Sequence, residues 1–186
     1  SVFIARRGPV VLEPAAWGEL SSLAAAWRAA DEAERLGAQI VHYDAIGVGA
    51  SVKGAWESGE RRLLFQTNGV KWGDPPTGLK WPNGKTSAEM FVNLRAELWW
   101  IMRTRFEKTY QVVTEGAPFP PDELISIPNS PELIAQLSMP LMHSTSSGKL
   151  QLESKDDMKK RGVKSPDYGD ALAYSFAPGK KKFRVI

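Results

Sequence analysis

The stretch that most constrains the fold is Gln39-Ile40-Val41-His42-Tyr43, a short and nearly continuous apolar run that ends on Asp44. Such a run suits a strand buried on both faces, and a strand of that kind needs helices to cover it. The flanking sequence supplies them. Leu20 to Leu36 carries Leu23, Ala26, Trp27, Ala30 and Ala33 at helical spacing, with Gly37 as a natural stop. Ser51 to Ser58 reads as a short helix, and Arg62-Leu63-Leu64-Phe65-Gln66 as the next strand. Upstream, Ser1 to Ala5 reads as a strand, Arg6 to Pro9 as a turn and Val10 to Glu13 as a hairpin partner. The order strand, strand, helix, strand, helix, strand predicts an α/β protein with a mixed sheet covered by helices.

The second half continues the pattern. Thr67 to Lys85, rich in Gly, Pro, Asn, Lys and Trp, predicts a long loop. Thr86 and Glu89 form a capping box for the strongest helix in the chain, whose apolar stripe is Phe91, Leu94, Leu98, Ile101 and Met102, with Phe106 near its end. Ser130 to Leu137 is a short helix opened by Pro131. Leu141 to Thr145 and Lys149 to Ser154 pair as a hairpin through Ser146-Ser147-Gly148. No repeat or linker interrupts residues 1–186, and that length suits one domain with a substantial core.

Composition removes several classes of function. The absence of cysteine excludes disulfides and cysteine-based zinc sites, and two histidines are too few for a histidine-rich metal centre. No apolar run approaches the roughly 20 residues of a membrane span, so a soluble intracellular protein is the default. The net charge of +3 is modest but uneven, with basic stretches at Lys149 to Lys164 and Lys180 to Arg184. That distribution is compatible with a polyanionic partner.

Two sets of acids stand out. Asp44 lies at the C-terminal end of the buried strand, before a glycine-rich turn. That edge of an open sheet is where ligands collect, although an aspartate there can equally cap the turn. His42 shares its sheet face and reads as a hydrogen-bonded core histidine. Downstream, Ser165 suits an N-cap and Pro166 the first helical position, which puts Asp167, Asp170, Ala171 and Tyr174 on one helix face. Acids at a helix start either complement its macrodipole or form a divalent-metal site, here directly after a basic run. Two phosphate-loop patterns fail. Gly47-x-Gly49 lacks a third glycine, and Gly78 to Thr86 has five residues between its glycines where a phosphate loop has four. Arg95 and Trp99, four apart on the long helix, read as helix packing.

Together the Tyr43 to Gly49 strand end, the Phe91-Val92-Asn93-Leu94-Arg95-Ala96-Glu97-Leu98-Trp99-Trp100 helix and the Glu153 to Leu172 tail motif resemble, in order, the C-terminal nuclease domain of the large terminase subunit of tailed bacteriophages. The resemblance implies a ribonuclease-H-like fold with a mixed five-stranded sheet. It also implies a metal-dependent endonuclease that cuts concatemeric viral DNA during packaging in the bacterial cytoplasm, alongside a portal protein and a small terminase subunit. In that family three carboxylates hold two divalent ions. Asp44 matches the second, and Asp170 matches the third, with Asp167 as helper. The first belongs to a strand that should precede Ser1. We therefore expect the natural protein to be longer, with a central strand absent between the one near Ser1 and the one ending at Asp44. A gap of ~10 Å should separate those two neighbours.

The mechanism implied is hydrolysis of double-stranded DNA by two Mg²⁺ or Mn²⁺ ions ~3.5–4 Å apart, one activating water and the other stabilising the leaving 3′ oxygen. Asp44 bridges or binds the ions, Asp170 holds one and Asp167 assists. Lys155 neighbours the scissile phosphate, while Lys149, Lys159, Lys160 and Arg161 hold the backbone, so cutting is nearly independent of sequence. With one carboxylate missing, the chain alone should bind metal weakly and cut poorly. Two rivals remain: a Holliday-junction resolvase on the same fold, and a non-catalytic docking module for DNA or the portal, in which Asp44 and Asp170 do not converge.

Overall fold

The computed structural model describes residues 1–18, 21–46 and 49–179. The chain opens on a long hairpin, in which β1 (Val2–Phe3) pairs antiparallel with β4 (Ala15–Ala16), and β2 (Arg6–Arg7) with β3 (Val10–Val11). The turn is Gly8-Pro9, with Gly8 at φ 57°, so Arg6 and Arg7 lie on a strand and not in the turn. Between the two ladders the register slips by one residue, from Phe3↔Ala15 to Arg6↔Val11. Pro14, which has no N–H to donate, falls within that offset.

Helix α1 (Ser22–Arg35) is capped by Ser21, whose Oγ accepts from Ala24 N at 3.2 Å, and stops at Gly37 with φ 65°. Leu20, expected to open this helix, lies outside the described residues. Strand β5 (Ile40–Asp44) follows one residue later than predicted, and of its residues only Val41 is buried, so the expected burial on both faces is not found. Then come α2 (Gly49–Glu57) and β6 (Gln66–Val70), which pairs parallel to β5 from Ile40↔Gln66 to Asp44↔Val70. The strand expected over Arg62 to Gln66 is therefore displaced. Phe65 is buried edge-on against Trp56, with ring centroids 5.5 Å apart, and the ladder begins only where Gln66 N donates to Gln39 O. Asn68 and Gly69 resemble loop residues but are strand. A side chain at Gly69 would come within 3.1 Å of Tyr43 and Ala45.

The long helix expected from Thr86 is two helices. The capping box is present but opens only α3 (Ser87–Met90); Phe91 and Val92 then run extended, with Val92 N donating to Leu150 O. Asn93 is the N-cap of α4 (Leu94–Glu115), its Oδ1 accepting from Ala96 N at 3.0 Å. Phe91 is fully buried from this link and not from the helical stripe. Helix α5 (Pro131–Ser138) opens on Pro131 as expected, with Ser130 as its cap, and β7 (Met142–Ser144) pairs antiparallel with β8 (Leu150–Leu152). The basic run is itself helical, forming α6 (Lys155–Lys160) under a Ser154 cap. The last helix, α7 (Asp167–Tyr174), starts one residue later than predicted, with Pro166 at its N-cap. Ser165 Oγ donates to the Asp167 carboxylate and does not cap the backbone.

The β5–β6 pair is the middle layer. One face packs on α1 and α2 through Val41, Ala26, Ala30, Ala33 and Trp56; on the other, Val70 joins Leu98, Met102, Leu133 and Leu172. Among the described residues the strands pair two by two and form no continuous five-stranded sheet. A cavity of about 770 Å³ is lined by Val2 to Arg7 of the hairpin and by Ile40 to Asp44 of β5. Among the described residues no helix is long and apolar enough to cross a membrane.

Candidate active site

Asp170 is held by the turn of chain that precedes it, its amide donating to Pro166 O at 2.7 Å. Its carboxylate is almost wholly buried, and its two oxygens have different surroundings. Oδ1 accepts from Trp99 Nε1 at 3.1 Å and from Arg95 Nε and Nη2, each at 3.3 Å. Oδ2 has no hydrogen bond; Lys155 Nζ lies 3.2 Å away, a charge contact without hydrogen-bond alignment. Arg95 is steadied in turn by its Nη1 donating to Glu153 O at 3.0 Å. Gly169 makes this approach possible, since a Cβ there would meet Trp99 Cη2 at 2.6 Å.

Asp44 caps the turn after β5, its Oδ1 accepting from Ile46 N at 2.9 Å. The capping role and exposure to the cavity therefore coexist at this residue. Asp44, Asp167, Asp170, Ala171 and Tyr174 all line the 770 Å³ cavity, so the helix face expected from the sequence is the one turned toward Asp44. Tyr174 lines the same cavity. Its ring stacks on Trp72 at 3.9 Å, and burial, then Asp44, then Asp170 push its hydroxyl far above the ordinary phenol range. Its hydroxyl makes no hydrogen bond to any described residue. Asp167 is exposed and tied to Ser165.

Buried side-chain polar atoms left without a hydrogen bond among the described residues are Trp17 Nε1, Asp170 Oδ2 and Tyr174 Oη, and all three residues line this one cavity. Unpaired buried polar atoms are costly unless water or a further group meets them. Among the described residues no three carboxylates or histidines are grouped closely enough to hold a metal ion by themselves. Asp170 Oδ2, buried, without a hydrogen bond and facing only the Lys155 ammonium, borders the cavity that Asp44 also lines, and such an oxygen could serve a divalent cation that keeps most of its water. His42, on the same wall, accepts from Asn68 Nδ2 at 3.0 Å through Nδ1, the core role expected of it.

The basic residues divide. Lys155 faces Asp170 and also joins Lys159 and Lys164 around a second, shallow cavity of about 450 Å³. Lys160 is paired with Asp157 at 2.7 Å, and Arg161 is forked onto Glu153 with both contacts at 2.7 Å, so these two are occupied within the protein. Lys149 lies in the β7–β8 turn, with its amide on Thr145 Oγ1. The sequence reading missed the attachment of Arg95 and Trp99 to Asp170; their spacing of four was visible, but their partner is 71 to 75 residues away. It also missed Glu97, fully buried and accepting from Thr77 N, Thr77 Oγ1 and Ser87 Oγ, which fastens the 71–87 loop to α4.

No protein-family model and no curated protein matches the chain. Solved structures do. The nuclease domain of the large terminase subunit gp2 of bacterial virus Sf6 aligns with a TM-score of 0.83 at 25% identity, over 95% of this chain and 81% of that one. A lysine-to-alanine mutant of that domain with manganese and β-thujaplicinol gives 0.83 at 26% identity over the same shares. The mutant with calcium gives 0.82 at 26%, over 94% and 81%. Along nearly its whole length, the chain resembles the nuclease domain of a bacteriophage large terminase subunit.

Proposed function

We propose that this protein is the nuclease domain of a phage DNA-packaging terminase, cutting concatemeric double-stranded DNA with Mg²⁺ or Mn²⁺ held between Asp44 and Asp170. The observation that carries this reading is the buried Asp170 Oδ2, without a hydrogen bond, on the cavity that Asp44 also lines. The similar Sf6 domain has been solved with manganese and with calcium, which supports a divalent-ion site here. Bound ions of this kind supply an activated water and offset charge on the phosphate oxygens. The remaining roles belong to the chain. Asp44 and Asp170 each present one oxygen, and Asp167 at the rim assists. Lys155 neutralises Asp170 and is positioned to meet a phosphate. Lys159, with Lys149 further out, holds the DNA backbone without reading bases, and Lys160 and Arg161 contribute only by releasing their acidic partners.

The fold reading is ribonuclease-H-like, with an additional strand lying between the hairpin and β5 and carrying a third carboxylate. The cavity between those two elements, with strands on both sides that are unpaired toward it, supports this. Within an intact terminase, the portal and small subunit would be the protein partners, and the work would take place in the host cytoplasm.

The test is plasmid nicking and Mn²⁺ calorimetry on the chain and on Asp44→Ala and Asp170→Ala. Weak, Mn²⁺-dependent nicking that both substitutions abolish is expected. Vigorous nicking that survives both would overturn the assignment.

A further inference from the structure

We infer that Trp99 and Arg95 make this site selective for small, six-coordinate cations by allowing Asp170 to offer only one oxygen. The inference deepens the function proposed above and rests on its assignment of Asp170 as a metal ligand. It stands on the unequal surroundings of the two carboxylate oxygens. Three N–H groups from α4 converge on Oδ1, at 3.1, 3.3 and 3.3 Å, whereas Oδ2 accepts no hydrogen bond and faces only the Lys155 ammonium, 3.2 Å away, which a bound cation would displace. The donors are themselves fixed. The Trp99 ring is wedged against Gly169, Arg95 is anchored to Glu153 O, and both residues are buried. A carboxylate held in this way cannot rotate to chelate through both oxygens without breaking buried hydrogen bonds. Asp44 likewise has Oδ1 engaged, accepting from Ile46 N, although it is only half-buried.

The consequence follows from coordination chemistry. Ca²⁺ takes six to eight oxygens at flexible distances and favours two-oxygen carboxylates, whereas Mg²⁺ binds one or two carboxylates, keeps several waters and requires near-ideal octahedral geometry. Mn²⁺ shares its preference for six oxygen ligands. A pair of one-oxygen acids therefore admits Ca²⁺ but favours the smaller ions over it. Trp99 and Arg95 are positioning residues here, acting on the cation through Asp170.

The experiment is calorimetric titration of the full chain with Mn²⁺ alone and Ca²⁺ alone, with thermal melts in parallel, for the unmodified protein, Trp99→Phe and Asp170→Asn. Trp99→Phe is expected to narrow the Mn²⁺-over-Ca²⁺ affinity ratio by about tenfold, the scale on which outer partners of metal ligands act. A general loss of structure would weaken both ions together and leave the ratio unmoved. A folded Trp99→Phe with an unchanged ratio, alongside an Asp170→Asn that loses both ions, overturns the inference. An Asp170→Asn that binds both ions normally, or an unmodified chain that binds neither at millimolar concentration, overturns the underlying reading instead. If Trp99→Phe does not fold, Arg95→Lys, which keeps the charge but not the fork, is judged by the same ratio.

Discussion

His42 accepts its hydrogen bond from Asn68 on a wall where an added proton would be poorly solvated and would face Arg6. Burial first, and Arg6 second, push its imidazole down to about 4. The unfolded chain takes up this proton below about 6.5 and the folded chain only near 4, so the stabilisation is complete above 6.5 and is lost as pH falls through that window. The loss should reach about 3 kcal/mol. Urea unfolding between pH 7 and 4 should show it, and His42→Gln, which keeps an acceptor for Asn68, should flatten the slope. Gly169 makes a second residue-scale case. An alanine there must displace either α7 or the Trp99 ring, at about 1–3 kcal/mol. A melting temperature unchanged by Gly169→Ala would mean that α4 and α7 pack more loosely than this contact requires. Asp44 and Asp170 were legible in the sequence because each sits at an element boundary where an acid has a local reason to be. Their oxygen-by-oxygen partners were not, because Trp99 and Arg95 arrive from a distant part of the chain.

At the scale of elements, the Thr86–Glu89 box and the Pro131 opening of α5 were legible in the sequence, whereas Ser21 was not read as a cap and Ser165, read as one, bonds Asp167 instead. The helix after Thr86 nevertheless breaks at Phe91-Val92, because that segment bridges to Leu150 and Asn93 offers a second cap, a tertiary pairing that helical periodicity cannot register. The same interplay fixes the loop over residues 71–87. Glu97 is its only fully buried carboxylate partner among the described residues, and three hydrogen bonds end on it. Glu97→Ala strands the Thr77 amide and two hydroxyls, at about 1–3 kcal/mol for each donor left buried. Hydrogen exchange should quicken across 74–87 and stay unchanged in β5. Equal protection in both variants would show that the loop is held by Trp81 and the Lys80–Thr86 bridge instead. Helix α6 is tied to the site through Glu153, which receives Arg161 on its carboxylate and Arg95 on its carbonyl. The lysines on α6 therefore keep a fixed position relative to Asp170.

At the scale of the whole molecule, the helix-covered arrangement around β5 was legible from its apolar run, but the strand is not buried on both faces: only Val41 is buried, and the strand borders the cavity. The continuity of the sheet was not legible, since pairing partners are set by what lies alongside and not by the strand itself. The 770 Å³ cavity along β5 leaves amides of β5 and the hairpin without strand partners among the described residues. Those amides should exchange within seconds to minutes, while amides between β5 and β6 persist. Uniform protection of both edges would argue against an open channel. Unpaired edges ordinarily invite association with other copies, and proteins blunt them with charge, proline or cover. Here the hairpin and β5 border the same half-open cavity, so each partly shields the other from neighbouring molecules. Light scattering should accordingly stay flat with concentration in the native protein, and should climb in a variant whose hairpin has been prised outward.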